Sequence, residues 1–414
     1  LGTGAVPGGP GASAPGIRSA FPPRATQLRR RSLSHVPYRK VGPWVTPDLS
    51  LPFPLGISPH LDHARRELVD WCRRSGLLQP QPGDPGSALW DERKLVGFDF
   101  ALCAAGIDPD ASPGALALSA QWMAWGTYAD DYYPKVFGAT RSPGAARAAT
   151  RRLAAMMPVG PGPAARPAPA TVLESSLKDL WARTAAGMGE GMRGEFRKTV
   201  LGMLDSWAWE IDNTTVHRVP DPVDYAEMRR WTFGSPTTML LARLGHRDRG
   251  LPPELLRGGV IRSLENAASD VACIVNDLYS YRKEIEVEGE MHNHVLVTET
   301  FFGIDHHRAA RIVADLMVRR TEEFEHIRDH QLPVLYEDLG LGRTTRGAVD
   351  AYVRELEDWM AGILHWHRET RRYRDEDLHP RPAAPGPGTR AAAVGSPTFG
   401  MAAATALTRK GSGR

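Results

Sequence analysis

Residues 260–286, VIRSLENAASDVACIVNDLYSYRKEIE, are nearly free of helix breakers, and Leu264, Ala268, Val271 and Val275 recur on one side of them at helical spacing. That side belongs in a core. The last third turns polar, with Asn276, Ser280 and Glu284 following one another at four-residue steps. Four residues advance a helix by about 6 Å and 40°, so the amide, hydroxyl and carboxylate share one slowly drifting stripe. All three are hard oxygen donors, which suit Mg²⁺ better than Zn²⁺ or copper. A solvated polar face has the same spacing. Apolar Cys273, Ile274 and Val275 lead directly into the stripe, and Asp277, Tyr279, Tyr281 and Lys283 flank it; a merely wet surface rarely has so apolar an approach.

The helical pattern extends on both sides of this segment. Leu, Ala, Met and Trp recur at three- and four-residue steps with few alternating Val, Ile or Thr runs, which predicts one all-α domain over residues 46–375. Helices are expected at 60–75, 91–105, 113–128, 172–183, 192–213, 222–230, 236–244, 253–286, 292–302, 305–330 and 344–370. Residues 141–170, dense in Pro, Gly and Ala, read as an exposed loop. Residues 1–45 carry no apolar period and read as a flexible linker, and 376–414 as a disordered tail. A leucine in place of methionine at position 1 gives the expectation that the chain begins inside a longer one.

Composition removes several function classes. With 414 residues, 24% charged residues and a net charge of +3, the chain has room for a deep cavity but not the bulk charge of a nucleic-acid binder. Cys72, Cys103 and Cys273 are too few and too scattered for a disulfide framework or a thiolate metal site. No apolar run approaches the roughly 20 residues of a membrane span. A cytoplasmic protein is the simplest expectation.

Three further groups accompany the stripe. Asp130 and Asp131 end a helix built on Leu116, Leu118, Trp122, Met123 and Trp125; adjacent carboxylates after an apolar face call for a cation, unless they are simply solvated where Pro134 stops the helix. In MRRWTFG, Arg229 and Arg230 precede Gly234. An arginine fork there reads equally as an anion contact beside a flexible break or as a cation complementing a helix end before a glycine cap. Near the end of the folded body, WHRETRRY brings Arg372 and Tyr373, able to close over a diphosphate or to sit on a solvated helix end.

In this order and spacing the four groups resemble the bacterial class I terpene synthases, over roughly residues 50–375. The resemblance implies an α-helical barrel in which an Asp-rich motif faces an NDxxSxxxE motif and up to three Mg²⁺ hold a substrate diphosphate. It makes Asp130, Asp131, Asn276, Ser280 and Glu284 metal ligands and Arg230 the diphosphate-sensing arginine. Phe233 and Gly234 become a hinge that moves on substrate binding, and Lys283, Arg372 and Tyr373 substrate contacts. The stretches WGTYADDYYPKVFG, RVPDPVDYAEMRRWTFG and NDLYSYRKEIEVEGEMHNHVLV look like the C-terminal half of the two-domain germacradienol/geosmin synthases, which turns germacradienol into geosmin with loss of acetone. That resemblance implies a covalent N-terminal germacradienol synthase domain. One departure bears on mechanism: the Asp-rich motif of the family has a third acid where DDYYP has Pro134. Fewer anionic ligands favour a substrate that has already lost its diphosphate. A stand-alone synthase ionising farnesyl diphosphate and a catalytically silent partner domain are the rival readings, and a chain-elongating prenyltransferase would need two complete Asp-rich motifs. For carbocation chemistry, Phe100, Trp122, Trp125 and Trp209 are candidate cavity walls.

Overall fold

Short polar residues at the helix starts set the frame. Ser112, Asp221, Asn293 and Asp305 each accept a bond from a backbone N–H of the turn they open, satisfying donors the helix itself cannot. The computed structural model describes residues 37–160, 167–245, 251–374 and 378, which belong to one compact unit ending at Leu378. Among the described residues there is no strand, as the periodicity predicts. The helices are α1 (Leu61–Arg74), α2 (Glu92–Phe98), α3 (Phe100–Ile107), α4 (Pro113–Tyr133), α5 (Pro143–Ala155), α6 (Val172–Ala185), α7 (Glu190–Thr215) and α8 (Pro222–Thr232). After these come α9 (Ser235–Gly245), the short α10 (Pro253–Leu256), α11 (Gly259–Arg282), α12 (His294–Phe302), α13 (His306–His326), α14 (Leu332–Asp338) and α15 (Arg343–Glu369).

Three expected elements differ in the structure. The helix expected at 91–105 is two, because Asp99 adopts a left-handed backbone (φ 47°), caps Leu102 N–H and is gripped by Arg65 at 2.7 Å. The helix expected at 253–286 is split at Gly258, and past Arg282 it widens into a π-helical turn, Lys283–Glu288. The loop expected at 141–170 contains α5, which opens with Pro143 and buries Ala146, Thr150 and Leu153. Its alanines are good helix formers, and the Pro- and Gly-dense run that masked them begins only at Pro158.

The expected linker also ends sooner than residue 45. Arg39 bonds Glu299 at 2.6 and 2.7 Å and the Tyr281 hydroxyl at 2.9 Å, Glu286 accepts from the backbone of Val41 and Gly42, and the Trp44 ring lies 4.6 Å from that of Tyr281. The segment from Arg39 to Trp44 is thus strapped to the end of α11 and its π turn. Residues 1–36 and nearly all of the expected tail lie outside the described residues.

α11 runs through the core, packed against α13 and α15, with α8 and α12 also against it. α15 in turn lies on α3, where Gly106 and Gly362 meet: a Cβ on Gly106 would stand 2.7 Å from the Gly362 Cα, and one on Gly362 2.2 Å from the Gly106 carbonyl carbon. This crossing fixes α15 against α3. Trp125, Tyr128, Trp359 and Phe100 are among the largest side chains wholly buried in the core.

Candidate active site

The carboxylate of Asp277 is wholly buried, and a charge there must be paired. Tyr225 and Arg229, one turn apart on α8, both supply it. The Tyr225 hydroxyl donates to Oδ2 at 2.7 Å, Arg229 Nε donates to Oδ1 at 2.9 Å, and the N–H and Nδ1 of His294 reach Oδ2 at 2.7 and 2.8 Å. Burial alone would raise this acid; Arg229 and His294 outweigh it and hold the carboxyl at about 2. Arg229 then extends to Oδ1 of Asn276 at 2.6 Å. Asn276 also bonds His367 Nε2 at 3.0 Å and donates to the Tyr373 hydroxyl at 3.1 Å.

Other acids of the cluster lack such compensation. Burial, then Asp131, pushes Asp130 up to about 7; burial, then Asp277, pushes Glu284 up to about 8, although Asn293 donates to Glu284 at 2.8 Å. Glu210 on α7 is raised well above the carboxylate range by burial and by Glu290 and Asp130. Arg229 pulls against all three. The buried Ser280 hydroxyl has no hydrogen-bond partner. An unpartnered hydroxyl in a cluster of carboxyls raised by burial and by one another's charge is what a hard divalent cation would satisfy. No three His, Cys, Asp or Glu side chains among the described residues converge into a metal cluster, so a cation would draw on the Asn276 and Ser280 oxygens as well.

Several expected site residues are placed differently. Arg230 is turned to Asp270 (2.6 and 2.9 Å) and Arg229 stands among the carboxylates instead, because successive residues point about 100° apart around α8. Asp131 is engaged on both oxygens, by Arg372 at 2.7 and 3.2 Å and by Trp90 Nε1 at 2.7 Å, and Arg372, with the charge of Lys283 and then Trp90, outweighs burial to lower its carboxyl. Lys283 pairs with Glu288. Gly234 ends α8 with φ 78°, a backbone only glycine adopts freely, and a Cβ there would meet Met203 Sδ at 2.9 Å. Of the candidate cavity walls, Trp122 and Trp125 are core residues donating to Thr184 and to the Leu173 carbonyl, and Phe100 stacks on Trp90 and Trp366. Trp209 is half-buried, 5.4 Å from the His292 ring.

Residues 121–323, which contain Asp130, Arg229 and the Asn276 stripe, match the family described as terpene synthase family 2, C-terminal metal binding. The (-)-delta-cadinene synthase of Streptomyces clavuligerus is 30% identical over 340 residues, 80% of this chain and 95% of that protein. The chain belongs to the terpene synthase family. Pristinol synthase of Streptomyces pristinaespiralis is 29% identical over 332 residues, 79% of this chain and 85% of that one. The crystal structure of germacradien-4-ol synthase from Streptomyces citricolor superposes with a TM-score of 0.65 at 24% identity, covering 78% of this chain and all of that one, and so shares the fold. This terpene synthase is therefore a class I cyclase of a divalent-metal-dependent, isoprenoid-consuming family. No described helix is long and apolar enough to cross a membrane.

Two surface clefts, one of about 590 Å³ lined by Arg65, Arg93 and Arg374 and one of about 250 Å³ lined by Asp110 and Asp358, lie away from this chemistry; no residue of the carboxylate cluster lines either. His367 and Glu210 are residues that the motifs do not name, and Arg229 and Asp277 stand beside the motifs without a role of their own in the sequence reading. A signal existed for one pair. Asp277 lies only two residues past the apolar run Cys273–Val275, so an acid there demands a buried cation, and Tyr225 and Arg229 share the i, i+4 face that supplies it.

Proposed function

We propose that this terpene synthase is a magnesium-dependent cyclase of the geosmin-forming type, converting germacradienol and water to geosmin and acetone as one part of a longer bifunctional enzyme. The observation that carries the reading is the asymmetry of the two walls. The Asn276, Ser280 and Glu284 wall is intact, whereas the opposite wall has Pro134 for its third acid and has Asp131 committed to Arg372 and Trp90. Mg²⁺ would be held by Asp130, Asn276, Ser280 and Glu284, where it supplies positive charge against a substrate oxygen. Asp131 serves to dock Arg372. The cytoplasm is its compartment.

The chemistry passes through cations and needs protons delivered to carbon twice. Protonation of an alkene starts cyclisation, and loss of the hydroxyl proton then releases acetone. Reprotonation of the octalin and a hydride shift follow, and captured water gives up the last proton. Two protons enter and two leave. Glu210, its carboxyl raised well above the ordinary range by burial and by Glu290 and Asp130, is the group we assign to carry such a proton. Half-buried Trp209 beside it offers an aromatic face to a cation.

A second reading, direct ionisation of farnesyl diphosphate, is favoured by a different observation: a relative 28% identical over 343 residues, from Saccharothrix espanaensis, is a (-)-beta-caryophyllene synthase described as farnesyl diphosphate cyclizing. Incubation of the purified chain with Mg²⁺ and either germacradienol or farnesyl diphosphate separates them. Geosmin and acetone from the alcohol support the first reading. A hydrocarbon or alcohol from farnesyl diphosphate alone replaces it with the second, and turnover of neither leaves a silent partner domain.

A further inference from the structure

The contacts of the Asn276 side chain depend on one another. His367 donates its Nδ1–H to the Ile363 carbonyl at 2.8 Å, one turn back on α15. A neutral imidazole engaged in this way carries its lone pair on Nε2. That atom stands 3.0 Å from Nδ2 of Asn276, so the amide nitrogen is the donor. The Tyr373 hydroxyl accepts from the same nitrogen at 3.1 Å. Both amide hydrogens are then used on the α15 side, and Oδ1 is left on the side of Arg229. The imidazole cannot turn away. It is 2% exposed, lies parallel to the Tyr373 ring (3°, centroids 5.6 Å apart) and meets Trp366 edge-on at 4.7 Å.

We propose that His367, seconded by Tyr373, is a positioning residue that locks the Asn276 amide so that its oxygen and not its nitrogen faces the divalent cation. The inference rests on Asn276 being a metal ligand. An amide is nearly symmetric in shape, so packing alone does not choose between its two orientations; hydrogen-bond polarity does. A flipped amide would aim two hydrogens at the cation. Arg229 sets the same orientation from the opposite side, but its guanidinium shares Oδ1 with the cation, whereas His367 acts only on the nitrogen. The last helix of the fold, 91 residues away in sequence, thereby sets the donor atom of the central stripe.

The test is Mn²⁺ binding to the full chain in the presence of inorganic diphosphate, read by electron paramagnetic resonance, with circular dichroism and thermal melting alongside. His367→Leu removes the acceptor and should weaken Mn²⁺ binding about 10- to 100-fold, the usual loss when a group orienting a metal ligand is deleted. His367→Gln, whose side-chain oxygen can accept from Nδ2, should recover most of it. Equal losses in the two variants would mean that His367 only fills space, and would overturn the proposal. Tyr373→Phe keeps the ring and removes the second acceptor; it should bind more weakly than the wild type, and it carries the test if His367→Leu does not fold. Asn276→Ala keeps the two readings apart. Wild-type binding by Asn276→Ala would remove the metal-ligand reading itself. Weak binding by Asn276→Ala with wild-type binding by both His367→Leu and Tyr373→Phe would remove the positioning role alone.

Discussion

Arg229 and Arg230 are adjacent in sequence, yet their different partners predict different mutational costs. Arg229 is the main cationic partner of a carboxylate with no solvent access, and deleting one member of a buried pair costs about 3–5 kcal/mol because the other is left charged or must take up a proton. Arg229→Met should therefore lower the free energy of urea unfolding by that amount; a loss under about 1 kcal/mol would contradict the pairing. Arg230→Met should cost no more than about 1 kcal/mol, because its pair with Asp270 is partly exposed and Asp270 keeps Arg320 at 2.9 Å. Glu210 makes a separate prediction on activity. If it delivers protons, Glu210→Gln should slow turnover of germacradienol by about 10²- to 10⁴-fold, the range for a lost general acid, while leaving Mn²⁺ binding in place. Wild-type turnover by that variant would end its role.

At the scale of elements, much was legible because helical periodicity is a strong signal over long segments. α4, α7 and α15 all fall where the apolar spacing puts them. The breaks were less legible. Nothing local marks Asp99 as a left-handed residue until Arg65 is seen holding its carboxylate, and α5 was hidden by the Pro-rich run that follows it. The stripe of Asn276 and Ser280 was readable from spacing, but its partners His367 and Arg229 depend on how three helices cross, which one sequence does not encode locally. The strap of Arg39 and Trp44 is not legible for the same reason: its apolar content is small, and only the groups on α11 and α12 give it value. Removing it with Arg39→Ala and Trp44→Ala together should raise amide hydrogen exchange selectively at residues 283–289, the π turn that carries Glu284. Exchange unchanged there would show that the turn stands without the strap. Gly234→Ala forces a side chain into a left-handed backbone, a cost of about 1–2 kcal/mol, and should lower the melting temperature whatever its effect on turnover.

For the whole molecule, the raised carboxyls of Asp130 and Glu284 tie stability to pH and to metal. Both acids bind protons more tightly in the folded chain than in the unfolded one, so their contribution is fully present below the ordinary carboxylate range and is lost as pH rises through about 7 and 8. The metal-free chain should accordingly melt at lower temperature at pH 8.5 than at pH 6. Added Mg²⁺ should flatten that slope, with protons released on binding and measured by calorimetry in buffers of different ionisation enthalpy. A metal-free melting temperature that climbs towards pH 8.5 would refute the assignment. The crossing of Gly106 and Gly362 bears on a different timescale. A methyl group is excluded from both positions at once, so no single-step replacement at either one leads anywhere without moving two helices. This contact therefore acts as a keystone: side chains elsewhere can be exchanged without disturbing it, but any change at the glycines themselves would shift the spar that carries Trp366 and His367 and leads into Arg372.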